Sequence, residues 1–283
     1  MWFTLALLGA FFQATYLILN KVFLRKINEY ILGAGVFLTS SLFLFIFSTI
    51  KGFPFLGEKF FFAILITGSI NVVTTILILK SLKTTDASLV FPMLSFTPAF
   101  TILTSFIILK EFPTQYGFIG VLLIVFGSYV LNSESIKLKK ILEPFRTMFS
   151  TRGLIYAFIV AFLFSVSTIY DKIAVMNSDP IFGSAASCLF ISILLILINF
   201  IRKDNFFKEY KSELPKFGVS GLANAFSIFL VNSALTMQIV PYVSSIKRVS
   251  VLFGAIYGFI LFKEKNIIKR LVGTLIMVSG VAL

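Results

Sequence analysis

A chain of 283 residues that is 58% hydrophobic, 13% charged and carries 36 Phe lies outside the range of soluble domains, whose charged fraction averages about 25%. It has no His and one Cys, so a His-based zinc site, a Ser-His-Asp triad, a Cys-His dyad and an internal disulfide are excluded. The net charge of +13 would point to nucleic acid in a soluble protein; here the cations lie in short loops between apolar runs, where positive charge sets membrane orientation, and no nucleic-acid partner is expected.

Apolar runs near the ~20 residues that cross a bilayer recur from end to end. They are too long and uninterrupted for the alternating strands of a membrane barrel. The expected fold is an all-α membrane protein with ten predicted helices, at 2–22, 31–50, 60–80, 87–109, 114–132, 153–175, 181–201, 217–238, 241–262 and 267–283. The first, from Trp2, lacks a basic leader and a clear small-residue cleavage site, and reads as a retained helix rather than a signal peptide. It offers Gln13, Thr15, Tyr16 and Asn20 as its polar groups. The third predicted helix carries Asn71 near its middle, and the eighth carries Asn224. An Asn inside a membrane needs partners, in helix packing or at a cavity. The fourth carries Pro92, Ser95 and Pro98, which can kink it and free backbone carbonyls.

Between the fifth and sixth helices lies a long polar connection, 133–152, and a second spans 202–216. The first divides the chain into halves, 1–132 and 153–283, that read as a duplication. FIILKE at 106–111 is echoed by FILFKE at 259–264. A shift of 153 places Lys110-Glu111 on Lys263-Glu264, Gly120 and Gly127 on Gly273 and Gly280, and Gly68 and Asn71 on Gly221 and Asn224. A shift of 151 aligns AFFQATYLILNK (10–21) with AFLFSVSTIYDK (161–172). Five helices is an odd number, so the second half enters the membrane in the opposite sense. Inverted repeats of this kind put a site near the midplane at the repeat interface.

The stretch FPMLSFTPAFTILTSFIILKEFPTQYGFIGVLLIVFGSYVL (91–131), with its second copy at 241–283, resembles the end of an EamA-type repeat of the drug/metabolite transporter superfamily. The resemblance covers nearly the whole chain. It implies a ten-helix EamA-like carrier of two inverted five-helix repeats that moves a small metabolite through a central cavity. The small multidrug resistance relatives carry an essential Glu in their first helix; this chain has none there.

Two cations interrupt the ninth predicted helix, PYVSSIKRVSVLFGAIYGFILF: Lys247 and Arg248. A helix starting after them, at Val249, would hold 14 residues to Phe262 and span only about 21 Å of a ~30 Å hydrocarbon core. The duplication instead starts the helix near Pro241, which puts the pair roughly 9–11 Å along its axis. Adjacent residues point about 100° apart on a helix, so one can face a cavity while the other snorkels or pairs. Arg248 is the better anion ligand, because its planar fork binds carboxylate or phosphate with two hydrogen bonds. The candidate substrate-binding set is Arg248, Lys247, Asn71, Asn224, Tyr16, Ser95 and Ser245, with Ser165 and Ser167 as weaker members. All 12 acids read as lying at helix ends or in loops. Asp171 is read as an interfacial pair with Lys172, and Glu111 as a residue that shapes a hairpin.

The expected function is secondary transport of a small organic solute bearing carboxylate or phosphate, anionic or zwitterionic, by alternating access. The alternatives are a flippase for a lipid-linked phosphate and a non-transporting sensor or assembly subunit. No cluster of acids, His or Cys supports an enzyme. No GxxxxGK[ST] loop supports direct ATP drive, and no cofactor is expected. Substrate and membrane lipids are the expected partners. Of the 23 cations other than Lys247 and Arg248, all but Lys51, Lys59, Lys110 and Lys172 lie by loops that follow odd-numbered predicted helices. The positive-inside rule then places those loops in the cytoplasm and both termini outside the cell, whereas relatives in the superfamily are more often described with both termini inside.

Overall fold

In a computed structural model the described residues are 1–85, 90, 93–132, 151–254, 257, 272, 273, 275–277, 279 and 280. All their regular structure is helical. The helices are α1 (Trp2–Phe23), α2 (Glu29–Lys51), α3 (Phe60–Thr84), α4 (Thr97–Leu109), α5 (Gln115–Asn132), α6 (Arg152–Met176), α7 (Pro180–Ile201), α8 (Phe206–Ser212), α9 (Leu214–Leu235) and α10 (Val240–Lys247). Residues 272, 273, 275–277, 279 and 280 are also helical. Pro92, the connection 133–150, Lys263-Glu264 and much of the last predicted helix lie outside the described residues.

Among the described residues six helices, α1, α2, α3, α6, α7 and α9, are long and apolar enough to cross a membrane. At 22–25 residues each they measure about 33–37 Å, enough for a ~30 Å core with some tilt. Their boundaries follow local chemistry. Asn28 caps α2 by accepting from the Tyr30 amide at 2.9 Å, and Asp179 caps α7 by accepting from Ile181 and Phe182, with Pro180 in the first turn where its missing N–H costs nothing.

The closest helix pairings run between the halves of the chain: α2 with α7 and α9, α3 with α6, α1 with α9, and α4 with α6. A buried cluster that includes Leu32, Leu79, Leu154, Leu195 and Phe217 fills the centre. Large apolar side chains such as Phe61, Phe62, Leu103, Phe126 and Phe200 face outward, as lipid contact requires. Small residues set the closest approach: on Gly127 of α5 a Cβ would stand 2.6 Å from the Met277 nitrogen, and on Gly280 it would stand 2.6 Å from the Gly120 carbonyl oxygen.

The connection expected at 202–216 contains α8, which the sequence reading did not anticipate. Phe206 and Tyr210 sit one turn apart and stack on each other, and Tyr210 stacks on Phe217. The Tyr210 hydroxyl also meets Thr39 of α2 at 2.9 Å. This apolar edge holds α8 against α2 and the first turn of α9.

Candidate functional site

Both helices carrying the KRVSV-type positions are broken. The sequence predicts continuous helices at 87–109 and 241–262. In the second half, α10 ends at Lys247, Arg248 and Val249 form a turn, and helix resumes at Ser250. The bonds across the break reach only three residues back: Arg248 N–H to Ser245 at 3.0 Å, Val249 to Ile246 at 2.9 Å and Val251 to Arg248 at 3.0 Å. This is the tighter turn of a short 3₁₀ segment. In the first half, Met93 and Leu94 are helical, Ser95 and Phe96 turn, and α4 begins at Thr97. Pro98 in the first turn has no N–H to give the Leu94 carbonyl, and the Thr97 hydroxyl supplies that bond at 2.8 Å. A shift of 153 carries Ser95-Phe96 onto Arg248-Val249. The two segments pack together where Thr101 and Ser244 hydroxyls approach to 3.4 Å.

The helix does start before the cations, at Val240, so Lys247 lies about 10 Å along it. Arg248 Nε is buried and has no hydrogen-bond partner among the described residues. The Lys247 ammonium has no ion pair among the described residues and interacts electrostatically with Asp171 and Arg248. The Ser245 hydroxyl is turned to its own helix, donating to the Pro241 carbonyl at 2.7 Å. Ser95 is buried against Ser128 of α5 at 2.6 Å.

Asn71 joins a polar cluster between α3 and α6. Its amide donates to Thr67 at 3.0 Å and to Ser167 at 2.7 Å. The Thr67 hydroxyl donates to Asp171 Oδ1 at 2.5 Å. This corrects the reading of Asp171 as half of an interfacial pair with Lys172. The helix continues to Met176, so Asp171 is inside it, and neighbours about 100° apart face different helices. Lys172 instead donates to Glu111 at 2.5 Å and to the Gln238 carbonyl at 2.9 Å. Glu111 therefore does more than shape a hairpin, because its other oxygen accepts the Val240 amide at 3.0 Å and the Ser105 hydroxyl at 3.2 Å.

Tyr16 and Asn224 lie in a second cluster, between α1, α2 and α9. Asn224 donates to Ser40 at 3.0 Å, Tyr16 is buried on the same helix one turn from Asn20, and Ser220 donates to the Asn20 side-chain oxygen at 2.7 Å. The shifts of 153 and 151 carry Thr67 to Ser220 and Asp171 to Asn20. The same bond thus occurs twice, once to a carboxylate and once to its amide isostere. The candidate residues accordingly separate: Arg248, Lys247 and Ser245 share one break, Asn71 and Ser167 join Asp171, and Tyr16 and Asn224 join Asn20. Ser165 is spent on the Phe162 carbonyl within α6. Asp171 was the group the sequence reading missed; its alignment with Asn20 was the available signal.

The sequence model of the EamA-like transporter family matches residues 1–133 and 151–283. A protein of Methanothermobacter thermautotrophicus named as an uncharacterized transporter is 25% identical over 287 residues, covering 93% of this chain and 80% of that protein. A solved crystal structure superposes with a TM-score of 0.72 at 12% identity, covering 99% of this chain and 94% of that one, which shows a shared fold. With both matched segments together spanning nearly the whole sequence, the chain belongs to the EamA-like transporter family and is a multi-pass membrane protein.

Proposed function

We propose that the protein is a secondary carrier for a small organic solute bearing carboxylate or phosphate, working by alternating access between its two halves. Arg248 carries this reading: a guanidinium nitrogen buried at a helix break, without a partner among the described residues. An unpaired cation in the membrane costs roughly 2.5–3.5 kcal/mol on the insertion scale. A bound carboxylate or phosphate offsets that cost with charge-assisted bonds to the planar fork. Broken helices at corresponding positions of two halves are the usual setting of a midplane site.

Succinate and inorganic phosphate are suitable probes for the purified protein. A ligand held at a hundred times its Kd stabilises by about 2.7 kcal/mol and raises the unfolding temperature. In Arg248→Gln that rise is expected to disappear. Equal stabilisation of both proteins would remove Arg248 from the binding site.

The cation distribution supports cytoplasmic placement of the loops following α1, α3, α5 and α7, with both termini outside. A cysteine at Lys140 in a Cys188→Ala background is expected to resist membrane-impermeant reagents in intact cells, whereas one at Glu58 is expected to react. Labelling of the Lys140→Cys variant from outside overturns this orientation.

A further inference from the structure

We propose that Asp171 is a proton-binding site coupled to the anion site, so that substrate anion and proton are carried together. The proposal rests on the anion-carrier reading of Arg248 and Lys247, and adds the coupling ion and its residue.

Three observations converge on Asp171. First, its carboxylate is held inside the α3–α6 contact by one hydroxyl donor, Thr67 at 2.5 Å, with Ser167 and Asn71 completing the cluster behind that hydroxyl. Second, the corresponding residue of the first half is Asn20, which accepts the equivalent bond from Ser220 at 2.7 Å. Packing at this position is therefore met by an uncharged amide. What aspartate adds is a negative charge that a proton can cancel. Third, α10 packs on α6, and its terminal Lys247 interacts electrostatically with Asp171, next in the chain to Arg248, whose Nε has no partner among the described residues.

The surrounding elements limit what else can titrate with it. From α3 it meets Thr67, and the titratable groups that act on it electrostatically are the buried Cys188 of α7 and Lys247 of α10. On its own helix Lys172 is committed to Glu111 of the α4–α5 turn. The residues of α4 include no titratable group, and in α9 that group is Lys216, at the far end and paired with Glu213. Lys247 is thus the cation whose field acts on Asp171, at a separation too long for a direct ion pair.

An anion seated on Arg248 and Lys247 draws the ammonium's field to itself. The carboxylate, partly exposed between α3 and α6, then feels less of the cation's field, which disfavours its charged form. A proton from the water on the entry side neutralises it. When the anion leaves on the opposite side, the field of Lys247 again favours the carboxylate and the proton is released there. No bond other than the carboxyl O–H forms or breaks. The cycle moves one proton in the same direction as each anion, and anion affinity rises as pH falls.

Two measurements test this. Calorimetry of succinate binding at pH 7.5, in buffers of different ionisation enthalpy, is expected to show uptake of about one proton per succinate in the wild type. Asp171→Asn, which reproduces the Asn20 arrangement, is expected to bind succinate with no uptake. Uptake that persists in Asp171→Asn, or wild-type binding without uptake, overturns the proposal. If succinate does not bind, the anion-carrier reading fails in that arm, and a ligand-free measurement decides for Asp171 itself. Infrared spectroscopy of Lys247→Met at pH 7.5 is expected to show the carbonyl stretch of a protonated carboxyl that is absent from the wild type and from the Lys247→Met/Asp171→Asn double variant. A Lys247→Met spectrum lacking that band overturns the coupling.

Discussion

Leucine at Gly127 is expected to lower the unfolding temperature in detergent more than any other single change considered. A Cβ there would stand 2.6 Å from the Met277 nitrogen, 2.7 Å from the Met277 side chain and 2.8 Å from the Gly273 carbonyl oxygen. Two of these are backbone atoms, which cannot rotate aside. On the facing segment, a Cβ at Gly280 would meet the Gly120 oxygen at 2.6 Å and the Ile124 nitrogen at 2.9 Å. In lipid there is no hydrophobic force to hold helices together, so close contact between small residues supplies the packing energy. Overpacking typically costs about 1–3 kcal/mol, and more where backbone must move. Gly218→Ala is the control. Nothing lies within 4 Å of its added methyl, and alanine is the better helix former by about 0.5–1 kcal/mol, so its unfolding temperature is expected to hold or rise. A Gly127→Leu protein that melts with the wild type would show that α5 does not approach Gly273, Met277 and Gly280 as described.

Removing the Glu111 carboxylate is expected to have the next largest effect. It is the acceptor for Lys172, the Val240 amide and the Ser105 hydroxyl at once. Breaking a buried pair by deleting one partner costs about 3–5 kcal/mol. Here Lys172 and Glu111 side chains keep 15% and 18% exposure, so about 2–3 kcal/mol is expected for Glu111→Ala after solvent screening is allowed for. Glu111→Gln retains an acceptor for the Val240 amide and is expected to lose less. The double variant Glu111→Ala/Lys172→Met is expected to recover part of the loss, because no unpaired ammonium remains. Thermal unfolding of these proteins and of Lys172→Met decides, and additive losses in the double variant would mean the two groups act independently.

The spans were legible because apolar length is a strong signal in a membrane protein. The start of the helix before Lys247 and Arg248 was legible too, since Val240 opens it within one residue of the position the duplication suggests. The break was not. Nothing in the composition of SSIKRVSV separates a continuous helix from one tightened into three-residue turns, and the equivalent stretch carries Pro98 where this one has Val251. The role of Glu111 was hidden for another reason: its partners Lys172 and Val240 are 61 and 129 residues away, and only folding brings them to one side. Asp171 was misread because its sequence neighbour is a lysine. On a helix, adjacency in sequence separates side chains, and residues four apart share a face. The spacing Ser167–Asp171 against Thr67–Asn71 carried the correct pairing.

The break after Lys247 also bears on how a membrane tolerates two adjacent cations. Backbone carbonyls point out of the C-terminal end of a helix, which carries roughly half a negative charge. In an unbroken span that end lies in the headgroups. Here α10 ends within the span, and Lys247 and Arg248 are its last residue and its cap. The carbonyl end of α10 therefore lies beside both charges, opposed in part by the N–H end of the helix that resumes at Ser250. Such an end contributes about 0.3–2 kcal/mol per cation, less than a full counter-ion. The cations are held without being neutralised, and an arriving anion still meets positive charge.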